Sequence, residues 1–111
     1  MRNVLDKAID AATNDGSTAV TSDAIDGGQL MAISVQATFS DSAAAGAVTL
    51  EGSNDAVAST WSTVPSTSQT VTAGAAVLVP RTEVTYRWLR VKFVPSAGAG
   101  TLTATIFAQG F

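Results

Sequence analysis

Few residues of this chain have side chains suited to catalysis, and most of those are carboxylates. The 111-residue sequence contains no cysteine and no histidine, which excludes the usual zinc sites, Cys-His nucleophiles and Ser-His-Asp triads. Glu51 and Asp55 are close enough in sequence to suggest the paired carboxylates of a glycosidase, but nothing around them predicts a cleft. We therefore predict that the chain is not an enzyme.

Three further carboxylates, Asp23, Asp26 and Asp41, offer the oxygen atoms that Ca²⁺ prefers as ligands. Their spacing matches no calcium loop with alternating ligands, and they lie in segments whose residues are typical of turns. The pattern predicts solvated turn carboxylates, with no bound metal and no cofactor.

Aromatic side chains suggest a binding surface instead of a catalytic site. Trp61, Tyr86 and Trp88 have rings that can stack on a sugar, and Asn54 or Asp55 can accept hydrogen bonds from its hydroxyl groups. Aromatic residues near arginine are equally typical of the anchors in protein–protein interfaces. The residue types leave both kinds of surface open.

The segment from Tyr86 to Val94 alternates between two kinds of side chain, which is the pattern of a β-strand. One side is apolar and predicted to be buried, with Leu89, Val91 and Phe93. The other side is the predicted partner interface and carries Tyr86, Trp88, Arg90 and Lys92. A second alternating run, Thr101–Ala108, follows a Pro/Gly segment, so we predict that the two runs form a long β-hairpin.

Turn residues divide the rest of the chain into short alternating runs, as in all-β proteins. The longest run, Leu30–Phe39, predicts a central strand whose core face holds Met31, Ile33, Val35, Ala37 and Phe39. Such strands in two packed sheets predict an antiparallel β-sandwich of jelly-roll type. We expect this domain to span residues 14–111.

Residues 1–13 differ from the rest because their apolar side chains recur at helical spacing. We predict a short N-terminal arm or helix, which packs either on its own domain or on a neighbouring subunit. Val4, Leu5 and Ile9 are therefore further candidates for the partner interface, together with Phe111 near the other end of the sequence.

Charge and composition favour assembly. Only 14% of the residues are charged while 46% are hydrophobic, and the cores of interfaces are depleted in Lys, Glu and Asp. The net charge of −3 and the pI of about 4.5 disfavour nucleic-acid binding. Eight of the nine acidic residues precede residue 56, and four of the six basic residues lie between Arg81 and Lys92. This asymmetry favours head-to-tail or side-to-side contact between copies.

Two blocks of sequence carry a resemblance to known proteins. One is the turn Gly52–Asp55 that leads to Trp61, and the other is the segment Tyr86–Val91, followed by a glycine-flanked last strand. These blocks resemble parts of small structural proteins of tailed-bacteriophage virions, and they are more loosely similar to discoidin-like carbohydrate-binding sandwiches. The turn before Trp61 is longer here than the commoner Asn-Asp-Gly-x-x-Trp form.

The virion resemblance implies a non-enzymatic structural subunit that decorates, cements or completes a capsid or tail. Its expected partners are copies of itself, in a trimer or larger ring, and other virion proteins. The expected location is the virion, after synthesis in the host cytoplasm. The sequence has no apolar run long enough to span a membrane and no secretory-signal pattern, which agrees with that location.

The alternative is a carbohydrate-binding module of an adhesive fibre, with a glycan bound at Asn54, Asp55 and Trp61. Neither interpretation implies a catalytic residue, a cofactor, a nucleic acid or a membrane. The two differ in whether Trp61 or the aromatic and basic side of the 86–94 strand makes the essential contact.

Overall fold

The computed structural model describes residues 2–55 and 60–110 and shows a sandwich of antiparallel β-sheets. The described residues contain ten strands and no helix. Within this described part, accordingly, no helix has the length and hydropathy needed to cross a membrane. The strands are β1 (Asn3–Thr13), β2 (Val20–Thr21), β3 (Ile25–Asp26), β4 (Leu30–Phe39), β5 (Ala45–Ser53), β6 (Ser62–Thr63), β7 (Gln69–Val71), β8 (Val77–Glu83), β9 (Trp88–Ala97) and β10 (Thr101–Gly110).

The strands pair in two sheets. The four-stranded sheet has the order β1-β10-β4-β8, and the six-stranded sheet has the order β2-β9-β5-β6, with β3 also paired to β9 and β7 to β5. If β2 with β3 and β6 with β7 are each taken as one interrupted strand, the chain changes sheet at every step except after β5. We interpret this order as the jelly-roll type.

The core lies between the sheets and consists of alternate side chains of the long strands. Phe93 is fully buried, and its ring lies against that of Phe39 with the ring centroids 5.0 Å apart and the planes tilted by 53°, a favourable geometry for an aromatic pair. The predicted burial of Leu89, Val91 and Phe93 is confirmed. The other large buried side chains include Ile33, Val35, Val48, Leu50, Leu102 and Ile106.

The predicted hairpin between the 86–94 and 101–108 runs is wrong. Both runs are strands, but β9 pairs with β2, β3 and β5 while β10 pairs with β1 and β4 in the other sheet. The Pro/Gly segment between them is therefore a crossover from one sheet to the other. Two strands that each have one apolar face can bury those faces against each other across a sandwich as well as side by side.

Of the two alternatives predicted for residues 1–13, the helix is wrong, because the segment is extended and forms β1, an edge strand of the four-stranded sheet. Its register with β10 shifts between Lys7 and Ile9 and again between Ile9 and Ala12. At each shift β1 contains one residue more than the facing segment of β10, which lengthens the interval between inward-facing side chains. The apolar side chains therefore recur at intervals longer than two, which imitates the spacing of a helix.

Strand β4 has the predicted bounds, but the predicted burial of Met31 is wrong. Met31 is 41% exposed, whereas its neighbours Leu30 and Ala32 are 3% exposed. The register of β4 shifts against β10 near Leu30 and against β8 between Ile33 and Val35. These irregularities break the strict alternation from which the core face of the strand was predicted.

Two carboxylates in turns make the stability of the fold depend on pH. Asp15 accepts hydrogen bonds from the backbone N–H groups of Thr18 and Ser17, which lower its pKa to about 2. Asp41 accepts from the N–H groups of Ala43 and Ala99, which also lower its pKa. The carboxylates stabilise the folded state above the unfolded pKa of about 3.9, and this contribution is lost as pH falls through the folded pKa.

We therefore expect the Tm to fall as pH is lowered from about 4 to about 2. Asp15→Asn should lower the Tm at pH 7 and make the decline in acid less steep, because asparagine does not titrate. Thermal unfolding followed by circular dichroism across this pH range is the measurement. An equally steep decline in the variant would contradict the role assigned to Asp15.

Candidate functional site

The outer face of the six-stranded sheet carries the aromatic and basic side chains of β9. Because the side chains of Leu89, Val91 and Phe93 point into the core, those of Trp88, Arg90 and Lys92 point outward. Directly opposite them on β5 lie Ser53, Glu51 and Thr49. The structure thus brings together three of the four predicted interface residues of this strand. We call the surface formed by Asp26, Glu51, Trp61, Arg87, Trp88, Arg90 and Lys92 the aromatic-basic face.

Arg90 connects two other side chains at the centre of this face. Its Nε donates a hydrogen bond to Glu51 Oε1 at 2.7 Å, and its Cζ lies 4.5 Å from the centroid of the Trp61 ring. The Glu51 and Arg90 side chains are only 9% and 24% exposed. A carboxylate with so little contact with water depends on its cationic partner. The ion pair and the cation–π contact therefore hold Arg90 and Trp61 in one arrangement.

A second stack of the same residue types lies beside β3. Arg87 donates from Nη1 to Asp26 Oδ1, and its Cζ is 4.8 Å from the centroid of the Trp88 ring. This stack is more exposed than the first, with half of the Arg87 side chain in contact with solvent. A hydrogen bond from the backbone N–H of Gly28 lowers the pKa of Asp26, and Arg87 lowers it further. The carboxylate is therefore ionised and orients the arginine at neutral pH.

Tyr86 does not lie on the aromatic-basic face, so the prediction that it shares this face is wrong. Its ring packs on the core side over Gly52, where an added Cβ would lie 2.4 Å from the Tyr86 Cδ2 atom. Strand β9 begins only at Trp88, and the alternation of strand side chains does not extend back to Tyr86. Glycine at position 52 leaves the space that the tyrosine ring fills.

The predicted glycan contacts are used within the chain. Asn54 Oδ1 accepts a hydrogen bond from the backbone N–H of Arg87 at 3.0 Å, which ties the turn after β5 to the start of β9. The backbone N–H of Asp55 donates to Ser53 Oγ. Arg90 lies over one face of the Trp61 ring. A sugar at this place would meet an amide oxygen and a ring face that already have partners.

The interface candidates near the two ends of the sequence do not share one surface. Val4 and Ile9 pack against the chain's own core, so packing on its own domain is the alternative that holds for them. Leu5 is 74% exposed on the outer face of the four-stranded sheet. Phe111 lies outside the described residues.

Sequence reasoning missed Asp26 and Arg87 as members of the aromatic-basic face. They are 61 positions apart, and only the pairing of β3 with β9 brings them together. Among the residues that the structure describes, no group of three or more Asp, Glu, His or Cys side chains is arranged to hold a metal ion. Asp26 and Asp41, considered as calcium ligands in the sequence, instead accept backbone hydrogen bonds in turns.

A scan against protein-family models and a search of curated proteins found no match. Among solved structures, the chain is similar to the exported protein XepA of phage PBSX, with a TM-score of 0.80 and 14% identity over 97% of this chain and 37% of XepA. It is similar to PirA with a TM-score of 0.64 and 11% identity, over 92% and 94% of the two chains.

A third similar structure is a capsid protein of infectious bursal disease virus, Gx strain, with a TM-score of 0.53 and 13% identity. The alignment covers 96% of this chain but 31% of the viral one, so the chain spans about a third of the length of both XepA and the capsid protein. The discoidin resemblance is not confirmed. These likenesses show a β-sandwich fold that a phage protein and a viral capsid protein also have.

Proposed function

We propose that this chain is a non-enzymatic structural subunit of a phage particle that docks on other virion proteins through the aromatic-basic face. The observation that carries the proposal is the pair of acid–arginine–tryptophan stacks held side by side on one sheet. The fold shared with a phage protein and a viral capsid protein supports it.

The geometry of the stacks suits a protein partner. Tryptophan and arginine are the side chains most enriched among residues that contribute strongly to binding. Ion pairs with Glu51 and Asp26 already restrict Arg90 and Arg87, so less conformational entropy is lost when a partner binds. Lys92 has no ion pair within the described part of the chain. The expected partner surface is therefore apolar with some acidic residues.

The alternative, a carbohydrate-binding module, requires a ring face on which a sugar can stack. Arg90 covers one face of Trp61, and Asn54 Oδ1 is occupied by the backbone of Arg87. Releasing either group would break a contact that positions the aromatic-basic face. We therefore favour the protein partner, and glycan binding is an outcome that the experiment can reveal.

Binding of the purified chain to phage particles that were assembled without it tests the proposal. Trp88→Ala and Lys92→Ala should each weaken this binding about tenfold, because they remove an anchor and a free positive charge. Ser42→Ala, in an exposed loop, is the control and should bind like the wild type. Arg90→Ala is less suitable because it leaves the nearly buried Glu51 carboxylate without its partner.

Unchanged particle binding in Trp88→Ala and Lys92→Ala would contradict the assigned surface. A glycan array tests the carbohydrate-binding alternative separately. Binding to a defined sugar that Trp61→Ala abolishes, with the Tm of the variant unchanged, would establish the carbohydrate-binding alternative. Absence of the chain from purified particles, together with no binding to them, would contradict the proposed function itself.

A further inference from the structure

The outer face of the four-stranded sheet, on the opposite side of the sandwich, carries three large exposed apolar side chains among mainly uncharged polar ones. Leu5 on β1, Phe107 on β10 and Leu78 on β8 are 74%, 45% and 58% exposed. Leu5 and Phe107 are direct cross-strand neighbours. Beside Phe107 is a hollow of about 180 Å³, which is also lined by Ala32, Ile33, Ser34, Arg81 and Gln109. Leu5 and Phe107 thus form an exposed apolar pair beside the hollow, which indicates an interaction surface.

The free edges of the described sheets are poorly suited to contacts between copies. β8 contains Pro80, which has no N–H group to donate to another strand. β1 is interrupted by two register shifts, and the edge strands of the six-stranded sheet have two or three residues each. Such features prevent pairing of strands from different molecules. These features favour a face of the sandwich over a sheet edge for contact between copies.

The charges beside the hollow are self-complementary. Arg81 lines the hollow, and Glu83 lies opposite Ala32, another residue of its lining. Both side chains are exposed, and neither forms an ion pair in the described part of the chain. A twofold axis reverses the direction of a strand, so it can set Arg81 of one copy against Glu83 of the other twice.

The size of this face is sufficient for a weak dimer. Four strands spaced about 4.8 Å apart, with about 3.3 Å per residue, make a surface of roughly 19 by 30 Å. Two copies would bury at most roughly 1,100 Å² in total, which is below the about 1,200 Å² of stable specific interfaces and within the range of weak, transient ones. Weak and transient complexes have interfaces of this size, so we expect a dimer that dissociates at micromolar concentration or above.

We propose that a second copy of this chain covers the outer face of the four-stranded sheet, around a twofold axis that pairs Arg81 with Glu83. This inference rests on the proposed function, and it assigns self-association to one face while the aromatic-basic face stays available for other virion proteins. The resulting unit is a dimer, which differs from the trimer or ring expected from the sequence. Higher assemblies would then form through docking.

Sedimentation equilibrium of the full chain, from about 1 µM to about 1 mM, tests the inference. Arg81→Glu and Glu83→Arg each set like charges opposite one another and should each raise the dimer Kd about tenfold. The double variant Arg81→Glu/Glu83→Arg exchanges both charges and should restore the wild-type Kd to within about threefold. Phe107→Lys should abolish the dimer, and Lys92→Ala on the other face should leave it unchanged.

A monomer at all concentrations would overturn the inference, and so would a double variant as weak as the single ones. A monomer whose particle binding is lost in Arg81→Glu would show that another protein covers this face, which also overturns it. The particle-binding results for Trp88→Ala and Lys92→Ala judge the proposed function separately, since those variants leave the four-stranded sheet intact.

Discussion

Replacement of Phe93 by alanine is expected to lower the free energy of unfolding by about 3–5 kcal/mol. The side chain is fully buried between the sheets, and its ring packs against Phe39. The strand position is fixed by pairing with Val48 on β5 and Val20 on β2, so the core cannot easily close around the cavity. Because small domains have only about 5–15 kcal/mol of stability, the variant should be close to unfolding at 37 °C.

Phe107→Ala is the matched control, since it makes the same chemical change on a side chain that is 45% exposed. It should change the stability of the monomer by less than about 1 kcal/mol. Urea unfolding followed by tryptophan fluorescence, at a concentration below the dimer Kd, measures both variants. Equal losses would contradict the assignment of Phe93 to the core and of Phe107 to an outer face.

These two phenylalanines illustrate how much of the fold the sequence determines locally. A strand side chain points opposite to its neighbours, so the alternation from Trp88 to Val94 and in Thr101–Ala108 is enough to predict which residues are buried. It does not predict the partner of each strand. The apolar face of each run has to be covered by other apolar side chains. In the sandwich those side chains come from the opposite sheet, whereas the predicted hairpin would have placed the two runs side by side in one sheet.

Irregular strands account for the other errors. At Lys7, Ile9 and Ala12 the register shifts of β1 change the spacing of inward-facing side chains, and a helical period was inferred from that spacing. Near Met31 the same kind of irregularity reverses which side chain is buried. Bulges depend on the neighbouring strand as much as on the bulged one, so a single sequence shows no reliable local signal for them.

The aromatic-basic face was predictable only in part. Trp88, Arg90 and Lys92 follow from alternation along one strand, but their charge partners come from elsewhere. Glu51 is 39 positions from Arg90 and reaches it only through the register of β5 with β9. The stacks that give the face its geometry are therefore a property of the fold. Sequence reasoning found the β9 side chains of this face but not Asp26, Arg87 or the contacts that hold the stacks together.

Gly98→Ala should cost about 2–4 kcal/mol of unfolding free energy, although it adds a single methyl group. Gly98 lies in the crossover between β9 and β10 with a φ of +88°, where any other residue is strained. A Cβ there would also lie 2.6 Å from Ala44 Cα and 2.8 Å from Ala44 N. These are backbone atoms, so no side-chain rotation can relieve the overlap.

Relief would require the crossover to move away from the segment that precedes β5. That movement would pull on Ala99, whose N–H donates to Asp41, and on the start of β10, a strand of the four-stranded sheet. Ala97→Ser, an exposed change in the same crossover region, should leave stability within about 0.5 kcal/mol of the wild type. Urea unfolding of the two variants makes the comparison. A loss below about 1 kcal/mol in Gly98→Ala would contradict the prediction, because it would show that the crossover can accommodate a Cβ beside residues 43–44.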